Sequence, residues 1–176
     1  MFKIAVLVSG GGTDLQSIID SVENGEMNCS IEMVISSKEG VFAIDRANKH
    51  GIKSHVVSRK EYGNKQSDKI LELVKERDVD LIVYISHVGC HSPMGFPGLS
   101  GEKCDPFYRF ILTHGKEKSI GISLGYAFMY YNYYLGCPAF INTYGSAPTL
   151  IEECVNGIYG EFEFNTDLTC PIKPEF

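Results

Sequence analysis

The chain has 176 residues, 44% of them hydrophobic and 22% charged, with a formal net charge of -6. That length suits one domain with a sizeable core, and the acidic balance argues against a broad nucleic-acid surface. The apolar run at 4–8 is too short for a secretory signal and no stretch reaches transmembrane length, so a cytoplasmic chain without a membrane partner is expected.

Residues 3–19 read KIAVLVSGGGTDLQSII. A short Val- and Ile-rich run bounded by glycines is the pattern of a buried parallel strand. Gly10, Gly11 and Gly12 follow, and Leu15, Ile18, Ile19 and Val22 then recur at helical spacing. The stretch therefore predicts strand, glycine-rich turn and helix, with Thr13 and Asp14 as N-cap candidates and Asn24-Gly25 as the stop. Residues 31–35 predict a second strand, 41–50 a helix closed by Gly51, and 53–57 a third strand. Residues 66–77 predict a helix burying Ile70, Leu71 and Val74, and 79–85 a fourth strand. Further on, 107–112 reads as a strand, and 119–135 as either helix or strand. A short strand is expected at 139–142, a helix at 150–155 stopped by Asn156-Gly157, and an edge strand at 159–164.

The alternation of strands and helices predicts an α/β domain with a doubly wound, mainly parallel sheet spanning 1–176. Ligands in such sheets sit outside the carboxyl ends of the strands, here 9–14, 36–40 and 86–93. The glycine turn points amide N–H groups at a helix N-terminus, an arrangement that suits a phosphate. It has neither the dinucleotide nor the nucleoside-triphosphatase signature, and a tight turn needing glycine only for its geometry has the same sequence. Asp14 would bring a carboxylate near such an anion unless its side chain turns away.

The first half resembles the phosphoribosylglycinamide formyltransferase family. Residues 3–19 are similar to that family's opening strand and phosphate loop, K-I-x-V-L-x-S-G-x-G-[ST]-[ND]-L-Q-x-I-I. ISSK at 35–38 resembles its S-N-K or S-D-R loop, RANKHGI at 46–52 its A-x-x-x-G-I segment, DLIV at 80–83 the strand before its folate loop, and Ser92-Pro93 the end of that loop. The resemblance implies a Rossmann-like formyltransferase fold, with 1–93 as a phosphate-binding half and 94–176 as a divergent catalytic half. It implies transfer of a formyl group from 10-formyltetrahydrofolate to glycinamide ribonucleotide in purine biosynthesis, without a metal. Gly11, Gly12, Thr13 and Asp14 would hold the substrate phosphate, Lys38 would touch phosphate or ribose, and Val88, Gly89, Cys90 and His91 would line the folate site.

The family's chemistry uses an Asn, a His and an Asp. Its strand ends in N-[IV]-H-P-[SA], a string this chain lacks. FINTYGS at 140–146 keeps the Asn and Ser with Tyr144 in place of His, and FILTHG at 110–115 keeps a His with Leu112 in place of Asn. TDLTCPI at 166–172 loosely echoes the family's D-x-G-P-[IV], and Ile85-Ser86-His87 replaces its A-G-[FY]. The triad expected from these matches is Asn142, His114 and Asp167, contributed by two strands. A catalytically inactive or repurposed phosphate-binding relative is the alternative.

Two other patterns carry chemistry. His87, Cys90, His91 and Cys104 form an H-x-x-C-H…C cluster whose spacing does not repeat as zinc sites do, so a zinc protein is the third reading. The six cysteines, at 29, 90, 104, 137, 154 and 170, are scattered and are expected as reduced thiols. The tyrosine-rich stretch 126–134 is expected to form a homodimer interface in preference to core, with stacking on a pterin or base as the sharper alternative.

Overall fold

The computed structural model describes residues 1–8, 11–86, 107–114, 118–124, 137–145, 147–158 and 162–163. Strand β1 (Phe2–Val8) buries its last five residues. Helix α1 (Thr13–Glu23) buries Leu15, Ile18 and Ile19, the stripe set by its 3.6-residue period. It ends at Asn24, and Gly25 takes the left-handed backbone (φ 76) that stops a helix there. Strand β2 (Cys29–Ser36), helix α2 (Phe42–Lys49) and strand β3 (Ser54–Val56) follow. Then come helix α3 (Arg59–Tyr62), a 3-10 turn (Gly63–Lys65), helix α4 (Gln66–Glu76) and strand β4 (Leu81–Ser86). The second half supplies helix α5 (Tyr108–His114), strands β5 (Ser119–Ser123) and β6 (Ala139–Asn142), and helix α6 (Pro148–Ile158).

The described strands form one six-stranded sheet, ordered β3-β2-β1-β4-β5-β6, and every pairing is parallel. The chain is thus an α/β protein with a doubly wound parallel sheet. Val6, Val34, Val83 and Ile122 face α1, α2 and α6, which contribute Leu15, Ile19, Ala43 and Ile151 to one core. Leu7, Met33, Ile82 and Tyr84 face α4 and α5, which contribute Ile70, Val74, Phe110 and Ile111 to the other. Each fully buried Leu or Ile is worth about 1.5–3 kcal/mol relative to exposure. Strand order reverses between β1 and β4, so the crevice outside the carboxyl ends of those two strands is the place where this architecture receives a ligand.

Four expectations change. Residues 107–112 are not a strand. Phe107, Phe110 and Ile111 are fully buried at i, i+3 and i+4, a helical period that a six-residue segment is too short to reveal. Helix α6 runs through Asn156-Gly157, because one more turn packs Ile158 against the first core. That packing outweighs the roughly 1 kcal/mol cost of an internal glycine. Helix α3 was not expected. Its Ser58 Oγ accepts the Glu61 N–H at 3.2 Å, the cap that Ser58-Arg59-Lys60-Glu61 encodes. On α4, Leu73 is buried and Leu71 is only partly so. Residues 119–123 of the ambiguous 119–135 stretch are strand; 125–136 lie outside the described residues. Of the expected edge strand 159–164, only 162 and 163 are described, and neither is strand.

Candidate functional site

Three segments of the carboxyl edge frame the candidate site, those after β1, β2 and β6. After β1, residues 9 and 10 lie outside the described set and Gly11 is exposed. A Cβ on Gly11 would meet nothing within 4 Å, so space opens beside the backbone there. Gly12 differs. Its φ of +71 is left-handed, and a Cβ would stand 2.6 Å from Ala43 Cβ and 2.8 Å from Ala43 Cα. Glycine is required at 12 both by the backbone and by the approach of α2. Gly12 is also the N-cap of α1, so Thr13 and Asp14 lie inside the helix and the expected side-chain cap is not formed. Asp14 sits in the first helical turn, where a carboxylate is favoured by the helix dipole. The first amide groups of a helix have no intrahelical acceptor, and here they follow a glycine that cannot cap them with a side chain.

The loop after β2 flanks this turn. Ser37 donates its N–H to the Val8 carbonyl at 3.3 Å, tying the ends of β1 and β2 together. Ser36 Oγ accepts the Lys38 N–H at 3.1 Å and donates to the Lys38 carbonyl at 2.7 Å, which fixes the loop carrying Lys38. The Lys38 side chain is exposed, with no carboxylate on its ammonium among the described residues. Ser37 is 5% exposed, and its Oγ has no hydrogen-bond partner among the described residues.

After β6 the arrangement is different again. Asn142 is the last residue of its strand and stands in register with Ser123 at the end of β5, which in turn pairs with Ser86 at the end of β4. By strand alternation Asn142 shares a face with Phe140, on the α4–α5 side. Both its Oδ1 and its Nδ2 are buried, and neither has a partner among the described residues. An unmatched buried amide costs about 1–3 kcal/mol per group, so an orphaned one in a native fold calls for a ligand or a water. The chain then turns sharply. Thr143 donates its N–H to the Ser123 carbonyl at 3.0 Å, and its Oγ1 donates to the Gly145 carbonyl. Tyr144 has φ +57, uncommon for a non-glycine residue.

Among the described residues no hydrogen bond joins Asn142 to His114. His114 is the last residue of a helix, not of a strand, so the expectation that two strands supply the triad is corrected. Its Nε2 lies 4.0 Å from Asp68 Oδ1 on α4, and its ring stacks obliquely on Phe110. Asp167 and the folate-loop residues Val88, Gly89, Cys90 and His91 lie outside the described residues, as do His87, Cys104 and the tyrosine-rich stretch 126–134. Among the described residues no group of three or more His, Cys, Asp or Glu is placed to hold a metal. Among the described residues Cys29, Cys137 and Cys154 form no disulfide, and burial pushes the Cys154 thiol up to about 12. Among the described residues no helix is long and apolar enough to cross a membrane.

Sequence reasoning passed over Arg46, although the segment holding it was noticed. Its Nε donates to the Gly11 carbonyl at 3.3 Å and its Nη1 to Gln16 Oε1 at 3.1 Å. The available signal was spacing: Arg46 follows Ala43, the residue against Gly12, by one helical turn.

Comparison with known proteins agrees with this geometry. The formyl transferase family model matches residues 2–89, half of the chain. The phosphoribosylglycinamide formyltransferase of Dictyostelium discoideum is 41% identical over 92 residues, which cover 47% of this chain and 45% of the relative. The Haemophilus influenzae protein of the same name is 38% identical over 95 residues, covering 53% and 45%. The solved phosphoribosylglycinamide formyltransferase of Coxiella burnetii superposes with a TM-score of 0.51 over 68% of this chain and 50% of that one, at 24% identity, a likeness of fold. The chain thus spans less than half the length of the curated relatives it matches. Strand β1, the glycine turn and the sheet through β4 all fall within the matched residues, and the chain belongs to the formyl transferase family.

Proposed function

We propose that the protein transfers a formyl group from 10-formyltetrahydrofolate to the amine of glycinamide ribonucleotide. The observation that carries this reading is the glycine turn running into the N-terminus of α1 beside the β1–β4 reversal. Amide N–H groups and the helix dipole favour a phosphate there, and Lys38 stands on the neighbouring loop. The curated relatives named above support both the reaction and the substrate. The described strands of both halves belong to one sheet, which supports reading 1–176 as a single domain.

In this reading the folate, held by 88–91, supplies the formyl carbon. Residues 11–14 hold the ribonucleotide phosphate and so place the amine against that carbon. Addition of the amine forms a carbon–nitrogen bond and an oxyanion. The Asn142 amide, unpartnered in the structure, donates to that oxyanion. Breaking the bond to the folate nitrogen returns the carbonyl, and the proton lost by the amine passes to that nitrogen. His114, with Asp167, carries the proton in this scheme. The position of His114 on a helix, beside Asp68, favours one competing reading, a relative that binds the phosphorylated ligand without turnover.

The experiment is a formyl-transfer assay of the full chain with both substrates. Formylated product at a rate above the protein-free control supports the enzyme. Ligand binding with no product establishes the competing reading.

A further inference from the structure

The structure assigns to Arg46 the task of holding the glycine turn in its ligand-ready shape, as a positioning residue that does not itself touch the ligand. The inference rests on reading that turn as the phosphate site. A glycine-rich turn is conformationally loose by composition, since glycine loses more freedom on ordering than any other residue. Something must fix the direction of its peptide groups before an anion arrives. Helix α2 does so with two residues one turn apart. Ala43 closes against Gly12, leaving no room for a side chain. Arg46 reaches past it and bridges the turn, with Nε on the Gly11 carbonyl at 3.3 Å and Nη1 on Gln16 Oε1 at 3.1 Å. Holding the carbonyl of Gly11 toward α2 sends the N–H of the same peptide unit, that of Gly12, the opposite way.

The second anchor is itself oriented. Gln16 Nε2 donates to Asp20 Oδ1 at 2.7 Å and lies 3.2 Å from His50 Nε2, so the amide oxygen of Gln16 is left for Arg46. His50 is held in turn by Glu23, with Nδ1 2.6 Å from Oε1. Among the described residues no carboxylate pairs with Arg46. Its planar fork therefore serves two fixed acceptors, a geometry that a lysine ammonium cannot reproduce at both.

The test is amide hydrogen exchange on the full-length chain, followed by titration with glycinamide ribonucleotide. In Arg46→Ala, exchange of peptides covering 11–16 is expected to rise about tenfold while peptides from β4 keep wild-type protection. Arg46→Lys, which retains one of the two anchors, is expected to fall between, and it keeps the test alive should the alanine variant not fold. Unchanged exchange at 11–16, or an equal rise throughout the sheet, overturns the assignment. In the titration the alanine variant is expected to bind about tenfold more weakly than wild type, with KM raised and kcat retained. Equal affinity also overturns it. If wild type does not bind while exchange behaves as expected, the clamp stands and the phosphate reading of the turn is what fails.

Discussion

At the turn after β1, Gly12 lies against Ala43, and Arg46, Gln16, Asp20, His50 and Glu23 form a chain of hydrogen bonds that ends on the Gly11 carbonyl. At the end of β6, on the same edge of the same sheet, the Asn142 amide is buried with neither atom satisfied among the described residues, and Tyr144 two residues on holds a strained backbone. The first region spends its polar groups on its own order, so it is prepared for a ligand before one arrives. The second leaves its polar group unmatched, a state a native fold keeps where a bound group will complete it. The proposed function gives binding to the ordered region and chemistry to the unsatisfied one, and each substitution below separates the two.

The largest effect is expected at Asn142. Asn142→Ala should lower the formyl-transfer rate on the order of 100-fold, as loss of one oxyanion donor does. It should also leave thermal stability unchanged or raise it, because an unsatisfied buried amide is removed. A fall in stability with an unchanged rate would make Asn142 a structural residue. His114→Ala should also cost on the order of 100-fold if that ring carries the proton. Its surface pair with Asp68, 76% exposed, contributes no more than about 1 kcal/mol to the fold. An unchanged rate moves the acid to another residue.

At the turn, two adjacent glycines should part company. Gly12→Ala should destabilise the chain by about 1–3 kcal/mol in thermal melts and abolish ligand binding, since left-handed backbone and Ala43 both oppose a Cβ. Gly11→Ala should leave stability within about 0.5 kcal/mol while weakening binding, because its Cβ enters open space. Equal melting temperatures for the two variants would contradict the packing of α2 on the turn.

The smallest effect concerns pH. Burial, with Arg77 next, holds the His55 pKa below its ordinary value of 6.5. The unfolded chain therefore takes up this proton first as pH falls. The stability His55 confers is complete above 6.5 and is lost as pH drops through that value toward the folded one. His55→Gln should flatten that decline in denaturant titrations at a series of pH values; an unaltered slope removes His55 as its source.

The sheet was legible where side-chain period and local chemistry coincide. Strands β1 and β4 hold continuous apolar runs, β2 is apolar from Ile31 to Ile35 except at Glu32, and Asn24-Gly25 and Gly51 stop α1 and α2 where expected. Helix α5 was not legible, because the buried Phe107, Phe110 and Ile111 span little more than one turn. Asn142 could be named from sequence by its place at a strand end. The unmatched state of its amide could not, because that depends on every neighbour in space. Arg46 was hidden for a related reason: its partners lie 35 and 30 residues away in the chain, and no local pattern encodes them.

The division between an ordered binding region and an unsatisfied catalytic one is tested most directly by calorimetric titration of glycinamide ribonucleotide into wild type, Gly12→Ala and Asn142→Ala. The expected result is saturable binding by wild type and by Asn142→Ala with similar affinity, and none by Gly12→Ala. Absence of binding by wild type, or binding by Gly12→Ala as tight as wild type, would contradict the assignment of the turn to the substrate phosphate.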